Sequence, residues 1–288
     1  MTTTEYRTPD RTDSPWDGVL GEHWAARHRE FDAMVGGVDD ALFEAAAIAP
    51  GDRVLDIGCG AGATTRAAAL LAAPGHAVGV DISAPLLARA RTNTAAEGVR
   101  GVAYVRGDAQ THRFEPGGYD VVISRGGVMF FADHVAAFAN IGRALRPGGR
   151  IVFVCPRRPG TDTEESQVLG RFARILEEGA EPVRPDPAVV AAHTAMASLS
   201  EPYLIHGALH RTFAEIAVNP VDLHTRWGET PADAVEFLLS RTPDRHVPAA
   251  TRAALEDTLR PYATARGVRM RAGVWLVTAV RRDDGAAV

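Results

Sequence analysis

A chain of 288 residues, 46% hydrophobic, 23% charged and with a net charge of −5, has the balance of a folded globular protein. Its length allows one large domain, or one domain plus a smaller lobe, around a sizeable core. The mild acidity and the scattering of its 31 basic residues, all of them arginine, argue against a nucleic-acid groove, which draws on a clustered basic surface. Cys59 and Cys155 lie far apart with no CxxC pattern, so neither a zinc site nor a disulfide framework is implied. A reducing cytoplasm suits them. No apolar run approaches the length of a membrane span. The opening "MTTTEYRTPDRTDSP" has neither the basic start nor the apolar centre of a secretion signal, and residues 1–15 read as a disordered tail.

In chain order, residues 16–49 are a helical cap, broken at Gly36-Gly37, with Trp24, Arg27, Phe31 and Met34 on one face. "RVLDIG" is a short buried strand, followed by an alanine-rich helix that Pro74-Gly75 stops. "HAVGVD" is a second strand ending on Asp81. Ser83 can cap the next helix, which closes at Gly98. "VAYVRGDA" and "YDVVISRGG" are strands three and four. An amphipathic helix then ends in Pro-Gly-Gly before the fifth strand, "RIVFVCP". Strict alternation with near-continuously apolar strands implies a parallel sheet covered on both faces.

After Pro156 the rhythm changes. Helical stretches are expected near 164–178, 187–198 and 202–213, then a strand "EIAVNPVDLHTR", whose Pro220 suggests an edge or a bulge. Two more helices precede a final strand, "AGVWLVTAVR". This sets residues 50–156 apart as an α/β core and 157–214 and 225–272 as an insertion over it. The last two strands would complete the sheet.

The chemistry centres on "RVLDIGCGAGATT". Gly58, Gly60 and Gly62 give G-x-G-x-G, not the G-x-G-x-x-G of a dinucleotide site, and no lysine follows as a P-loop requires. A tight strand-to-helix turn of any doubly wound fold is the plainest reading. S-adenosylmethionine is the sharper one: Asp56 can attract its ammonium, and backbone N–H groups at a helix start favour its carboxylate. Asp81, at a strand tip, can accept from both ribose hydroxyls, as it also would in a dinucleotide enzyme. Asp108 in "RGDAQ" can accept from the adenine amino group, with the Ala109 N–H towards the ring and Ile82 against its face. Ser124 and Arg125 end the fourth strand at the edge where ligands bind.

As a set these segments resemble the class I S-adenosylmethionine-dependent methyltransferases, in particular the bacterial small-molecule, methyltransferase type 11-like group. "VLDIGCGAG" is similar to the first motif, "GVDIS" to the second-strand acid, "GDA" to the adenine acid, and "LRPGGRIVFV" to the entry into the fifth strand. The resemblance implies an α/β, Rossmann-like, doubly wound sheet of seven strands whose last strand is antiparallel, with a helical insertion. "WDGVLGEHWAARH" resembles the group's N-terminal cap, in which Trp16 and Trp24 would close over the cofactor. A small-molecule acceptor, in a monomer or homodimer without nucleic-acid or membrane partners, is the implied setting, with S-adenosylhomocysteine as product. A decarboxylase or cyclase on the same fold, or a non-catalytic cofactor binder, are the alternatives.

Cys59 reads as a small residue where the loop touches ligand, not as a nucleophile, since no base is near it in sequence. Of Met129, Phe130 and Phe131, at least one is expected in the core and another facing the sulfonium. Arg125 is either a rim charge or a group that orients an anionic substrate. His206 and His210 stand at i, i+4 on a predicted helix. No HExxH and no third ligand accompany them, so no metal is expected, and a general base is their functional reading.

Overall fold

The computed structural model describes residues 15–158, 163–182, 187–241 and 245–283. The expected disordered tail, Pro15 apart, lies outside the described residues. Three short helices open the chain: α1 (Val19–Ala26), α2 (His28–Val35) and α3 (Asp39–Ala46). The core follows as β1 (Arg53–Ile57), α4 (Ala63–Ala72), β2 (His76–Asp81), α5 (Ala84–Glu97), β3 (Val102–Arg106), β4 (Tyr119–Arg125), α6 (His134–Ala144) and β5 (Leu145–Pro156). Beyond it come α7 (Glu164–Gly179), α8 (Pro187–Met196), α9 (Pro202–Leu209), β6 (Phe213–Gly228), α10 (Pro231–Leu239), α11 (Ala249–Leu259), β7 (Ala263–Thr264) and β8 (Gly267–Arg281).

The expected capping of α5 operates, whereas α6 ends at Ala144 and the Pro147-Gly148-Gly149 stop falls inside β5. Ser83 caps α5 by accepting from the Leu86 amide, and Gly98 closes that helix at φ 65°. The strands run β3-β2-β1-β4-β5-β8-β6, with β1 to β5 parallel and β8 antiparallel to both its neighbours. This is the seven-stranded Rossmann-like sheet, joined by the two-residue β7 pairing with β8. Pro220 lies on β6, an edge strand, where a missing N–H can face away from the ladder. Bulges fall on either side of it, between Ala214 and Ala217, where Glu215 takes φ 52°, and between Arg226 and Gly228.

Two apolar layers cover the sheet. One holds Phe138, Ile141, Ile205 and Leu209 of α6 and α9; the other holds Leu42, Ala68 and Ala72 of α3 and α4. A third core stands apart. β6 and β8 overrun the expected strands, and their pairs from Asp222↔Gly273 to Gly228↔Val268 lie beyond the reach of β5. Around this ribbon Phe172, Phe237, Leu255 and Met270 pack with Phe31 of α2. The insertion is thus a lobe with its own core, and the N-terminal cap is its partner across the sheet edge. No helix among the described residues is long and apolar enough to cross a membrane.

Candidate functional site

Turns at the carboxyl ends of β1, β2, β4 and β5 open into one cavity of about 590 Å³, within the usual range for small-molecule sites. Its floor is the β1–α4 turn. Gly58 and Gly60 sit at φ 65° and 54°, a region that favours glycine. A Cβ on Gly58 would come within 2.6 Å of the Gly127 Cα, so this turn and the β4–α6 turn lie back to back. A Cβ on Gly60 would meet nothing within 4 Å, which leaves that part of the wall open to a ligand.

Asp81 stands opposite. Its Oδ2 accepts from the Gly60 amide and its Oδ1 from the Ser83 amide, each at 2.8 Å. Burial raises its pKa, and the two amides oppose that rise without cancelling it. Asp108 accepts from the Gln110 amide at 2.9 Å, and Asn140 donates to the Ala109 carbonyl at 2.9 Å. Ile82, Asp108 and Ala109 all line the cavity.

The cap closes one side. Gly21 brings α1 so near the start of α5 that a Cβ there would strike Trp16 O at 1.9 Å and Ser83 Oγ at 2.6 Å. Asp17 accepts from the Ala84 amide at 3.0 Å and pairs with Arg106. Trp24 stacks on Phe31 with centroids 3.6 Å apart, and Trp16 meets Trp24 and Phe130 edge-on. Trp16, Trp24, Met129, Phe130 and Phe131 all face the cavity. Cys59 lines it too, with burial pushing its thiol well up, which disfavours the nucleophilic thiolate.

Six expected residues are placed or engaged otherwise than anticipated. Asp56 is buried behind the turn, accepting from the Thr64 and Thr65 hydroxyls at 2.7 and 2.6 Å, and it does not line the cavity. Gly62 opens α4 in the left-handed region beneath Tyr104, also outside the cavity wall. Ser124 is buried, donating to the Ile57 carbonyl at 2.7 Å and accepting from the Gly127 amide, so it joins the two turns. Arg125 does line the cavity, but its guanidinium is bound by Asp32 and Asp39. It is neither a rim charge nor a free anion clamp.

His206 and His210 are the remaining two, and the structure does not bring them to the cavity as a base would require. Ile205, Ala208 and Leu209 form the buried face of α9, which leaves both histidines exposed and off the cavity. His210 Nδ1 is taken up by the carbonyls of its own helix. No group of three or more metal-capable side chains occurs among the described residues.

Asp56 yields a prediction about stability. Its Oδ1 is buried with no partner among the described residues, and burial, against the two threonine hydroxyls, raises its pKa from 3.8 to about 6. The fold therefore holds this proton more tightly than the unfolded chain does. The contribution is complete below the unfolded pKa and is lost as pH rises through about 6. Asp56→Asn removes that titration. In urea melts, the stability of the variant relative to the parent should rise by up to about 3 kcal/mol between about pH 4 and about pH 7. A difference that stays flat with pH overturns the assignment.

Residues that the sequence did not single out complete the far end of the cavity: Glu165 of α7, Thr225 and Trp227 of β6, and Arg241 after α10. Trp227 Nε1 donates to both Glu165 Oε1 and Thr225 Oγ1, at 3.1 and 2.9 Å.

Comparison with known proteins agrees with this architecture. The sequence profile of a methyltransferase domain family matches residues 55–153. Among curated relatives, aklanonic acid methyltransferase of Streptomyces sp. strain C5 is 37% identical over 107 residues, which is 37% of this chain and 49% of that protein. Nocamycin O-methyltransferase of Saccharothrix syringae is 32% identical over 163 residues, 56% of each chain. The chain thus spans about half the length of these relatives. Phosphoethanolamine N-methyltransferase 2 of Haemonchus contortus, solved with phosphomonomethylethanolamine and S-adenosylhomocysteine, superposes with a TM-score of 0.58. It is 19% identical, over 96% of this chain and 61% of that one, a likeness of fold. Residues 55–153 thus match the profile of a methyltransferase domain, and they lie on the Rossmann-like sheet described above.

Proposed function

We propose that the protein transfers a methyl group from S-adenosylmethionine to an oxygen of a small-molecule acceptor. The observation that carries this reading is Asp81, a carboxylate fixed by two backbone amides in the wall of a largely apolar cavity, facing a glycine turn. The donor set suits a sulfonium nucleoside. Asp81 would accept from the ribose hydroxyls, Asp108 with the Ala109 N–H would meet the adenine edge, and Ile82 would cover a ring face. The open wall at Gly60 would admit the amino-acid end. Asp56 and Ser124 would act behind this surface by fixing the turns.

When bound, S-adenosylmethionine supplies a methyl carbon on a positively charged sulfur, which keeps the bonding pair as the acceptor oxygen forms its bond from the opposite side. The chain's part is alignment and exclusion of water. Alignment of this kind lowers barriers by about 7–11 kcal/mol at best. Trp16, Trp24 and Phe130 form an aromatic wall between the cofactor end and the lobe, and would keep that line dry. The names of the two curated relatives, one an O-methyltransferase and both acting on natural products, support an oxygen acceptor from specialised metabolism.

Calorimetric titration tests the reading. Adenosylhomocysteine should bind the protein and NAD should not; the reverse outcome refutes it. Methyl-labelled cofactor should then label small acids or phenols and spare added protein. His206→Ala and His210→Ala should each alter that labelling rate by less than about two-fold, since exposed surface changes leave stability within about 0.5 kcal/mol. A larger loss would return a base to α9.

A further inference from the structure

Among the described residues, Arg241 is a cation held inside the fold with no carboxylate at ion-pair distance. Its guanidinium lies 5.0 Å from the Trp227 ring, 5.3 Å from Phe237 and 5.7 Å from Phe31. Nη2 donates to Met34 Sδ at 3.2 Å, a weak acceptor. Among the described residues, Nε is buried with no hydrogen-bond partner, and no carboxylate stands within ion-pair distance. Arg66 and Arg125, also held inside the fold, show the usual solution: Glu97 meets the first at 2.7 Å, and Asp32 and Asp39 enclose the second. Glu165 is near enough for its charge to reach Arg241, yet it is engaged by Trp227 Nε1. Aromatic faces attract a guanidinium, but they do not take up its N–H groups in plane.

Arg241 also lines the cavity, alongside Phe31, Leu169 and Trp227. Its contacts come from α2, β6 and α10, and none from the turns that carry Asp81 and Asp108. It therefore marks the end of the cavity away from the cofactor turns. We propose that Arg241 anchors the methyl acceptor, and that this acceptor is an organic anion: a flat apolar body carrying a delocalised oxyanion, as a carboxylate or an ionised enol. The inference rests on the methyl-transfer reading. An anion placed there satisfies the free N–H in a fork geometry, while the rings of Phe31 and Trp227 supply flat walls. The cation also favours the ionised form of the acceptor, so no neighbouring base is needed to remove its proton. This accounts for a cavity that the histidines of α9 do not enter.

The test is a set of calorimetric titrations with 2-naphthoate, the enolate of dimedone and neutral 2-naphthamide, with and without adenosylhomocysteine. At least one anion should bind about ten-fold tighter than the amide, as a hydrogen bond to a charged group allows. Which anion binds separates a carboxylate acceptor from an enolic one. In Arg241→Met the preference should fall below about two-fold, and Arg241→Lys should keep part of it, since lysine retains the charge but not the fork. Glu165→Gln should strengthen anion binding by removing a competing negative charge. Equal binding of anions and amide, no binding of either anion, or a preference that survives in Arg241→Met overturns the proposal. A failure of adenosylhomocysteine to bind the parent protein would instead refute methyl transfer, while the anion preference is still read without it.

Discussion

Asp81→Ala is expected to weaken adenosylhomocysteine binding at least about 100-fold, the equivalent of about 2.7 kcal/mol. Two charge-assisted hydrogen bonds to ribose hydroxyls are worth about that much or more, since each contributes roughly 1.5–3 kcal/mol. Fold stability should move far less. Burial already raises the Asp81 pKa, so the ionised carboxylate is a burden on the fold that alanine relieves. Against this, the Gly60 and Ser83 amides lose their acceptor; Gly60 lines a cavity that water can enter, whereas Ser83 is buried and bears that loss. Asp81→Asn keeps one acceptor oxygen and should fall between alanine and the parent. Because the folded pKa is raised, affinity in the parent should begin to fail at a higher pH on acidification than an ordinary carboxylate would dictate. Calorimetry on both variants, with thermal melts alongside, decides the matter: undiminished affinity in the alanine variant removes Asp81 from the site.

The difference between what was readable in the chain and what was not follows from range. β1 to β4 and the apolar part of β5 are short runs set off by glycine, proline and capping residues, and each signal acts within a few positions. The acids at the tips of β2 and β3 were placed in the cavity wall for the same reason. Depth was harder. In a strand, neighbouring side chains point to opposite faces. Ile57 and Arg125 reach the cavity, so Asp56 and Ser124, one residue before each, turn inward to the α4 threonines and the Ile57 carbonyl. Strand alternation carried that information, though the motif drew attention to the wrong neighbour. On α9 the apolar positions 205, 208 and 209 likewise fix the inward face and leave 206 and 210 outside.

The far end of the cavity had no local signature. Glu165, Trp227 and Arg241 come from α7, β6 and the end of α10, and only the packing of the lobe brings them together. The overrun of β6 and β8 was hidden similarly. Their outer halves pair with each other and with the short β7, away from the central strands, so they lack the continuous apolar character of those strands.

The cap is held to this cavity by a contact equally distant in sequence, and its two sides should respond unequally to mutation. Arg125 has a side chain only 10% exposed, whereas Asp32 and Asp39 are 31% and 33% exposed. Asp39 is held by Arg125 Nη1 at 2.8 Å and Asp32 by Nη2. Burial raises the Asp39 pKa against the pull of the guanidinium, and the paired carboxylates raise that of Arg125 against its own desolvation. Arg125→Met leaves two acids that water can reach, and it puts an apolar chain where the guanidinium was. Asp32→Asn with Asp39→Asn leaves a buried cation uncompensated, the costlier error, at about 3–5 kcal/mol. The double variant should therefore melt well below the single one. Since α1 to α3 carry Trp24 and Phe31, losing the clamp should also free the aromatic wall, and trypsin should cut after the exposed Arg29 sooner in the double variant than in the parent. Adenosylhomocysteine, if it holds the cap against Asp17 and the start of α5, should slow that cleavage in both. Equal melting of the two variants, with unchanged cleavage, would mean that the cap is kept in place by its apolar contacts with the lobe and that the clamp is incidental.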